Sequence, residues 1–218
     1  MRAVVIGGSG RIGSLIVAAL LEAGDAVVAT IRNRDHAASL EASGARVSII
    51  DLERSPIVDL ERTVLGADAI VFAAGSAEGD LASNVDRIGA ERTVTAAMKA
   101  GVRRYVAISG LGATTAVPPS YDWPGMAAYF AAKRAANGYV REAELDWTII
   151  EPGTLTDAPG TGRVALSEGE DIDAGKISRA DLAAVVAGVL RDPATIRRTF
   201  QIVAGDTLIA EAVSRVGR

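Results

Sequence analysis

The sequence contains no cysteine and one histidine, His36. The missing thiols exclude disulfides, thiolate chemistry, zinc–thiolate sites and Cys-ligated iron–sulfur clusters together. With a single imidazole, a multi-histidine metal site cannot be built, and a Ser-His-Asp hydrolase would have to use His36. No GxSxG nucleophile elbow occurs either; the segment around Ser109 reads ISGLGA. His36 reads instead as a surface residue early in a helix. Charged residues interrupt every apolar run before it reaches the roughly 18–20 residues that span a bilayer. The opening MRAVVIGGSG lacks the layout of a signal peptide, so a soluble, cytoplasmic protein without a membrane partner is expected. Excess positive charge is missing as well. Against 27 Asp+Glu stand 23 Lys+Arg, a formal net charge of -4, which provides no bulk field to attract nucleic acid.

What is present is the material of an ordinary globular protein. At 218 residues, 49% hydrophobic and 23% charged, the chain can bury a core and is expected to form one domain over 1–218. Ala3 to Ile6 is a short continuous apolar run, the pattern of a parallel strand buried on both faces. After the glycines, Ile12, Leu15, Ile16, Ala19, Leu20 and Ala23 recur at helical spacing until Gly24. The alternation repeats: strands over 26–31, 46–50, 69–73, 104–108 and 147–150, and helices over 36–43, 58–65, 84–100 and 126–143. Strict alternation predicts an α/β fold, a doubly wound parallel sheet with helices on both faces. Beyond Pro152 the texture turns to Gly, Thr, Asp and Pro, which predicts ordered loops over a site or a small C-terminal extension. Ser178 and Asp181 look like a capping box ahead of a helix, 200–203 reads as a late strand, and 208–216 as the last helix.

Residues 7–13 read Gly-Gly-Ser-Gly-Arg-Ile-Gly, which fits GxGxxG from Gly8 and GxxGxxG from Gly7. Both registers answer one need: a tight turn without Cβ atoms, close approach of backbone to a pyrophosphate, and close packing of helix on strand. The context, after an apolar strand and opening an amphipathic helix, is the one such a turn requires. An NAD-preferring chain often carries an acid about 20 residues on, to bond the ribose 2′-hydroxyl. Here the second strand ends Thr30-Ile31-Arg32-Asn33-Arg34. A guanidinium there pairs bidentately with a 2′-phosphate, so the residues favour NADP(H), with Arg32 the first choice. Arg34 and Arg11 either assist or are solvated surface charges. Asp51, ending the third strand, either accepts from an adenine amino group or is an ordinary turn residue.

Tyr129 and Lys133 lie at i and i+4 in a helical stretch and so share a face. An ammonium beside a phenol favours the phenolate, so the pair can act as general acid or base, and the lysine can also bond the cofactor ribose. Ser109 follows the fifth strand at its C-terminal end, where ligands of open parallel sheets collect, and offers a third hydroxyl. The bland alternative is that Tyr129 packs on the sheet, Lys133 is solvated and Ser109 caps a turn. Pro118, Pro119, Trp123 and Pro124 suggest an ordered loop over the sheet edge, where a substrate could meet Tyr121 or Trp123. Packing is expected of Trp147.

Together, VVIGGSGRIG, IRNR, Asp51-Leu52, FAAGS at 72–76, AGVRRYVAISGLGA at 100–113, YFAAKRAANGYVREAELDWTIIEPGTLTD at 129–157 and ISRADLAAVV at 177–186 carry a resemblance over almost the whole chain. The sequence resembles the atypical short-chain dehydrogenase/reductases, in the small NAD(P)H-binding group that includes NmrA-like and biliverdin reductase B-like proteins. The resemblance implies a Rossmann-like fold in which Gly7, Gly10 and Gly13, with Gly8, Ser9, Arg11 and Ile12, bind the pyrophosphate. It implies Arg32 at the 2′-phosphate, Asp51 and Leu52 at the adenine, and Ala73, Ala74 and Gly75 along the adenosine. Ser109, Tyr129 and Lys133 match the family's Ser-Tyr-Lys set, and Pro152, Thr154 and Leu155 the segment passing the nicotinamide. Glu151 stands where many relatives have Arg, implying a changed charge near the substrate pocket.

The expected function is an NADP(H)-dependent oxidoreductase acting on a small carbonyl, alcohol or similar substrate, as a monomer or homodimer. Two alternatives are a non-enzymatic NADP(H)-binding redox sensor and an NAD(P)-dependent epimerase, which would need a larger C-terminal lobe than the chain after Pro152 provides.

Overall fold

The computed structural model describes residues 1–75, 85–121, 125–168 and 172–216. Its first strand, β1 (Arg2–Ile6), turns through the glycines into α1 (Arg11–Glu22), and β2 (Ala26–Ile31) follows. A 3-10 turn over Arg34–His36 leads into a short α2 (Ala37–Ala42), then β3 (Arg46–Ile49), α3 (Ile57–Val64), β4 (Ala69–Phe72) and α4 (Val85–Ala100). Next come β5 (Arg104–Ile108), α5 (Met126–Glu142) and β6 (Asp146–Pro152). The chain continues through β7 (Thr154–Thr156), β8 (Arg163–Ser167), β9 (Lys176–Ser178), α6 (Arg179–Arg191), β10 (Arg198–Ala204), β11 (Thr207–Leu208) and α7 (Ile209–Arg215). The helix expected from 36 is shorter because Asn33 Oδ1 accepts from the Asp35 N–H at 3.0 Å, which favours a tight turn first. The expected helix start Asn84, together with Ser76, Trp123 and Pro124, lies outside the described residues.

The main sheet has nine strands in the order β11-β8-β10-β6-β5-β4-β1-β2-β3. From β10 to β3 every pairing is parallel, which makes the Rossmann-like doubly wound core expected from the alternation. The period-2 pleat divides the apolar strand residues between two cores. Ala3, Val5, Ala69, Val71, Val106 and Ile108 meet α1, α6 and α7; Val4, Ile6, Ile70, Phe72, Tyr105 and Ala107 meet α3, α4 and α5.

After Pro152 the structure departs from the expectation of loops. β8 runs antiparallel to β10 and extends the sheet, while β7 and β9 form a separate parallel pair beside it. Glycines make this possible at close range: a Cβ on Gly153 would meet the Gly175 carbonyl oxygen at 2.3 Å, and one on Gly205 the Ala165 nitrogen at 2.4 Å. Among the described residues no helix is long and apolar enough to cross a membrane.

Candidate functional site

Strand order reverses at β1, with β2 on one side and β4 on the other. Crossovers therefore leave in opposite directions and open a crevice at the C-terminal strand ends, the ligand position of open α/β sheets. The glycine turn lies there. Gly7 has φ +83°, and a Cβ on it would stand 2.8 Å from Ala74 Cα. On Gly13 a Cβ would stand 2.1 Å from the Gly7 carbonyl oxygen, and on Gly8 2.7 Å from Ala29 Cβ. Gly7, Gly8 and Gly13 thus let turn, helix and strands close together, and Gly10 serves as N-cap of α1 with no side-chain acceptor for the first-turn N–H groups. The turn is pinned from β2: Gly7 N–H donates to Thr30 Oγ1 at 3.1 Å and Gly8 N–H to the Thr30 carbonyl at 2.8 Å. An uncapped N-terminus of a helix that packs one face on the sheet, opening beside exposed Gly10, fits the diphosphate of a dinucleotide. Ser9, Arg11 and Ile12 complete the turn, and Arg11 reaches toward Asp157 at 3.8 Å.

Around that turn the expected residues fall into place unequally. Arg32 is exposed directly after β2, and among the described residues it makes no ion pair or hydrogen bond. Asp51 is partly committed: its Oδ1 accepts from the N–H groups of Glu53 at 2.9 Å and Arg54 at 3.2 Å, the work of a turn residue. Leu52 is 9% exposed and packs toward Gly89 of α4. Ala73 N–H pairs with the Ile6 carbonyl at 3.0 Å, Ala74 stands against Gly7, and Gly75 is exposed at the crevice. Pro152 ends β6 and accepts the Leu111 N–H at 2.9 Å; Thr154 is exposed, and Leu155 packs against the α1–α6 core.

Tyr129 and Lys133 both reach the C-terminal end of β5, where Ser109 follows in the chain. The tyrosine hydroxyl lies where a Cβ on Gly110 would be 3.1 Å away, so the glycine after Ser109 leaves Tyr129 a close approach to the strand end. Ser109 is buried, and its Oγ has no hydrogen-bond partner among the described residues, an unanswered polar atom beside that hydroxyl's strand end. Lys133 Nζ stands 5.6 Å from the Tyr129 ring centroid and donates to the Ile108 carbonyl at 3.3 Å.

One residue that the sequence reading missed completes this face. Asp86 of α4 is buried, with Oδ1 2.7 Å from Lys133 Nζ. Burial pulls the Lys133 ammonium down, but the charges of Tyr129 and Asp86 outweigh it and hold the lysine above its ordinary value. A signal existed: Asp86 shares one helical face with Gly89, Ala90, Thr93, Val94 and Ala97, all buried, so a charge sits in an apolar stripe.

Glu151 lies deeper than the other expected site residues. It is fully buried beneath α5 rather than lining a pocket, and its Oε1 accepts from Asn137 Nδ2 at 3.1 Å and from Thr114 Oγ1. Burial pushes its carboxyl up, against the opposing pull of Thr114, Arg141 and Asn137. His36 is exposed, and among the described residues no cluster of three or more metal-ligating side chains occurs. Trp147 is partly buried against the α3–α5 core.

Comparison with known proteins shows the family and the fold. The profile of a family described as NAD(P)H-binding matches residues 7–193. The chain is 36% identical over 221 positions, covering 99% of it and 100% of the relative, to the uncharacterized sugar epimerase YhfK of Bacillus subtilis. A solved structure from Bacillus halodurans, provisionally described as an NAD-dependent epimerase/dehydratase, superposes with a TM-score of 0.89 at 31% identity, covering 99% of both chains. The anaerobillin reductase ChuY of Escherichia coli O157:H7 shares the fold, with a TM-score of 0.79 at 24% identity over 94% of this chain and 98% of that one.

Proposed function

The chain belongs to the NAD(P)H-binding family, and from that premise we propose that it is an NADP(H)-dependent oxidoreductase acting on a small carbonyl, alcohol or similar substrate. The observation that carries the reading is the convergence of Tyr129, Lys133 and the unanswered Ser109 Oγ at the strand ends beside the glycine turn. The glycine turn and Arg32 would hold a dinucleotide, whose nicotinamide would supply or accept a hydride. Tyr129 moves the proton at its hydroxyl, Lys133 steadies the phenolate, and Ser109 Oγ holds the substrate oxygen. Arg32, exposed and unengaged where an NAD-preferring chain often carries an acid, supports NADP(H) over NAD(H). The same reading makes 1–218 one cytoplasmic domain serving a small molecule, as monomer or homodimer, with no nucleic-acid partner.

Fluorescence titration with NADPH and NADH in parallel tests the cofactor. Arg32→Ala is expected to weaken NADPH roughly ten- to hundredfold, the effect of losing a charge-assisted contact of about 1.5–3 kcal/mol, and to leave NADH unchanged. Equal effects on both would remove the 2′-phosphate assignment. Tyr129→Phe is expected to abolish turnover in a carbonyl and quinone panel while cofactor affinity stays within about twofold; undiminished turnover in that variant would sink the acid–base assignment. Tight NADPH binding with no turnover across the panel would point to a redox sensor.

The descriptions of the two Bacillus proteins favour a second reading, an epimerase that keeps its cofactor and returns it unchanged. Against it, most of the regular elements described after Pro152 complete the sheet, as β8, β10 and β11, or cover it, as α6 and α7. Among the described residues the short β7–β9 pair forms a second sheet apart from the main one. Copurifying dinucleotide with no net change in its redox state during turnover would support the epimerase.

A further inference from the structure

A cation at the start of a helix faces the positive end of the macrodipole, and burying it there adds a desolvation cost. Two neighbouring helices of this protein nevertheless begin on arginine. Arg11 is the first residue of α1 and Arg179 the first of α6, and the two helices pack together in the core that holds Ile16 and Leu20 of the one and Leu182 and Val186 of the other. Their starts lie side by side, because one carboxylate reaches both arginines. Asp157, just beyond β7, places Oδ1 2.6 Å from Arg179 Nη1 and Oδ2 3.8 Å from Arg11 Nη1.

The partners are unequally placed. The Arg179 side chain is 9% exposed, whereas Asp157, which answers it, is 71% exposed. Among the described residues this is the one hydrogen bond that the guanidinium makes, which leaves N–H groups able to meet a second acceptor. Asp181, two residues along the same helix, does not compete for Arg179, since its carboxylate is taken by Thr161, Gly162 and Ser178. Nor is the start of α6 itself open, because Ser178 Oγ accepts the Asp181 N–H at 3.0 Å. The start of α1 is the open one: it has no side-chain cap and no acid in its first turn, and the glycine turn leads straight into it.

We propose that Arg179 is a second arginine of the diphosphate site and that Asp157 competes with the dinucleotide for it, so that the Asp157 carboxylate limits how tightly the site holds an anion. The proposal rests on the reading of the glycine turn as the diphosphate site. A diphosphate accepts from a guanidinium as a carboxylate does, in pairs of parallel N–H bonds, and carries more charge. At the start of α1 it stands beside Arg11, the residue that already shares Asp157 with Arg179. The exposed carboxylate can turn to water at little cost, whereas the buried guanidinium cannot do without an anion. Arg179 thus exchanges one anion for another and is never left unpaired.

Titration of the full chain with inorganic pyrophosphate, by calorimetry, and with NADPH, by fluorescence, tests this. Removing the competing charge in Asp157→Asn should tighten both ligands about three- to tenfold, and Arg179→Met should weaken both about tenfold or more. In the double variant Asp157→Asn/Arg179→Met the gain from Asp157→Asn should shrink to less than about twofold, because the arginine it releases is gone. Unchanged or weaker binding in Asp157→Asn overturns the proposal. So does a gain that persists undiminished in the double variant, the mark of a general field rather than of competition for Arg179. Should Arg179→Met fail to fold, Arg179→Gln, which keeps an amide donor without the charge, takes its place with the same expected order. NADPH binding that ignores all the variants defeats the proposal and leaves the dinucleotide reading. Pyrophosphate binding that follows the expected order in a protein that does not take NADPH defeats that reading and leaves the proposal, and no binding of either ligand defeats both.

Discussion

Asp86 on α4 and Asp181 on α6 are both almost fully buried, at 1% and 3% exposure, but they are answered by different chemistry. Asp86 meets a full opposite charge, Lys133, on the neighbouring helix. Asp181 meets dipoles: the Thr161 N–H at 2.9 Å, the Gly162 N–H at 2.7 Å and the Ser178 hydroxyl at 2.8 Å. Burial alone would raise the Asp181 carboxyl, and those donors overcome it and hold it below its ordinary value. The comparison separates two uses of a buried carboxylate. Where neutral backbone donors satisfy the charge, it ties a loop to a helix start. Where an ion satisfies it, the carboxylate becomes part of whatever chemistry that ion serves.

The largest effect should come from breaking the ion pair on one side. Asp86→Ala leaves a buried ammonium unanswered and is expected to cost about 3–5 kcal/mol in urea unfolding, with most of the loss recovered when Lys133→Met is added. Asp181→Ala should cost less, about 2–3 kcal/mol, because it strands neutral donors rather than an ion.

The sign of the pH dependence sharpens the contrast. A carboxyl held low in the fold, as at Asp181, stabilises above its unfolded value and loses that contribution as pH falls through the folded value. Asp181→Asn should therefore flatten the acid side of a stability profile. Glu151, held high, acts the other way: its contribution is greatest below the unfolded value and falls as pH rises through the folded one. Glu151→Gln should remove that decline on the side above the unfolded value, read as urea midpoints. The smallest effect belongs to the exposed Arg62–Asp59 pair, 3.5 Å apart on α3, where Arg62→Ala should stay within about 0.5 kcal/mol of the wild type.

How legible each region was follows from how local its signal is. β1, β2, β4 and β5 stood out as apolar runs because both faces of a central parallel strand are buried, and the glycine turn because its steric demand falls on adjacent residues. β7 and β9, three residues each, are held by each other, and β8 by β10, partners distant in the chain, so no local period marked them. Ser178 did announce the start of α6, accepting the Asp181 N–H at 3.0 Å. The expected reciprocal bond is replaced, however, because the Asp181 carboxylate turns to Thr161 and Gly162. The resemblance implies a changed charge near the substrate pocket at Glu151, while its place in the run Thr148-Ile149-Ile150-Glu151, on a strand buried on both faces, marks it as buried.

By itself, then, the sequence determined the alternating architecture, the glycine turn, the exposed Arg32 beyond β2 and the shared face of Tyr129 and Lys133, since each depends on spacing within one element or one turn. Only the tertiary structure decided that Lys133 is paired with Asp86, that Gly110 gives Tyr129 its room, and that Glu151 lies under α5. The reason is electrostatic and steric together. The state of a buried charge depends on which group from another element stands within a few ångströms of it, and packing brings such groups together across distances that no local pattern records.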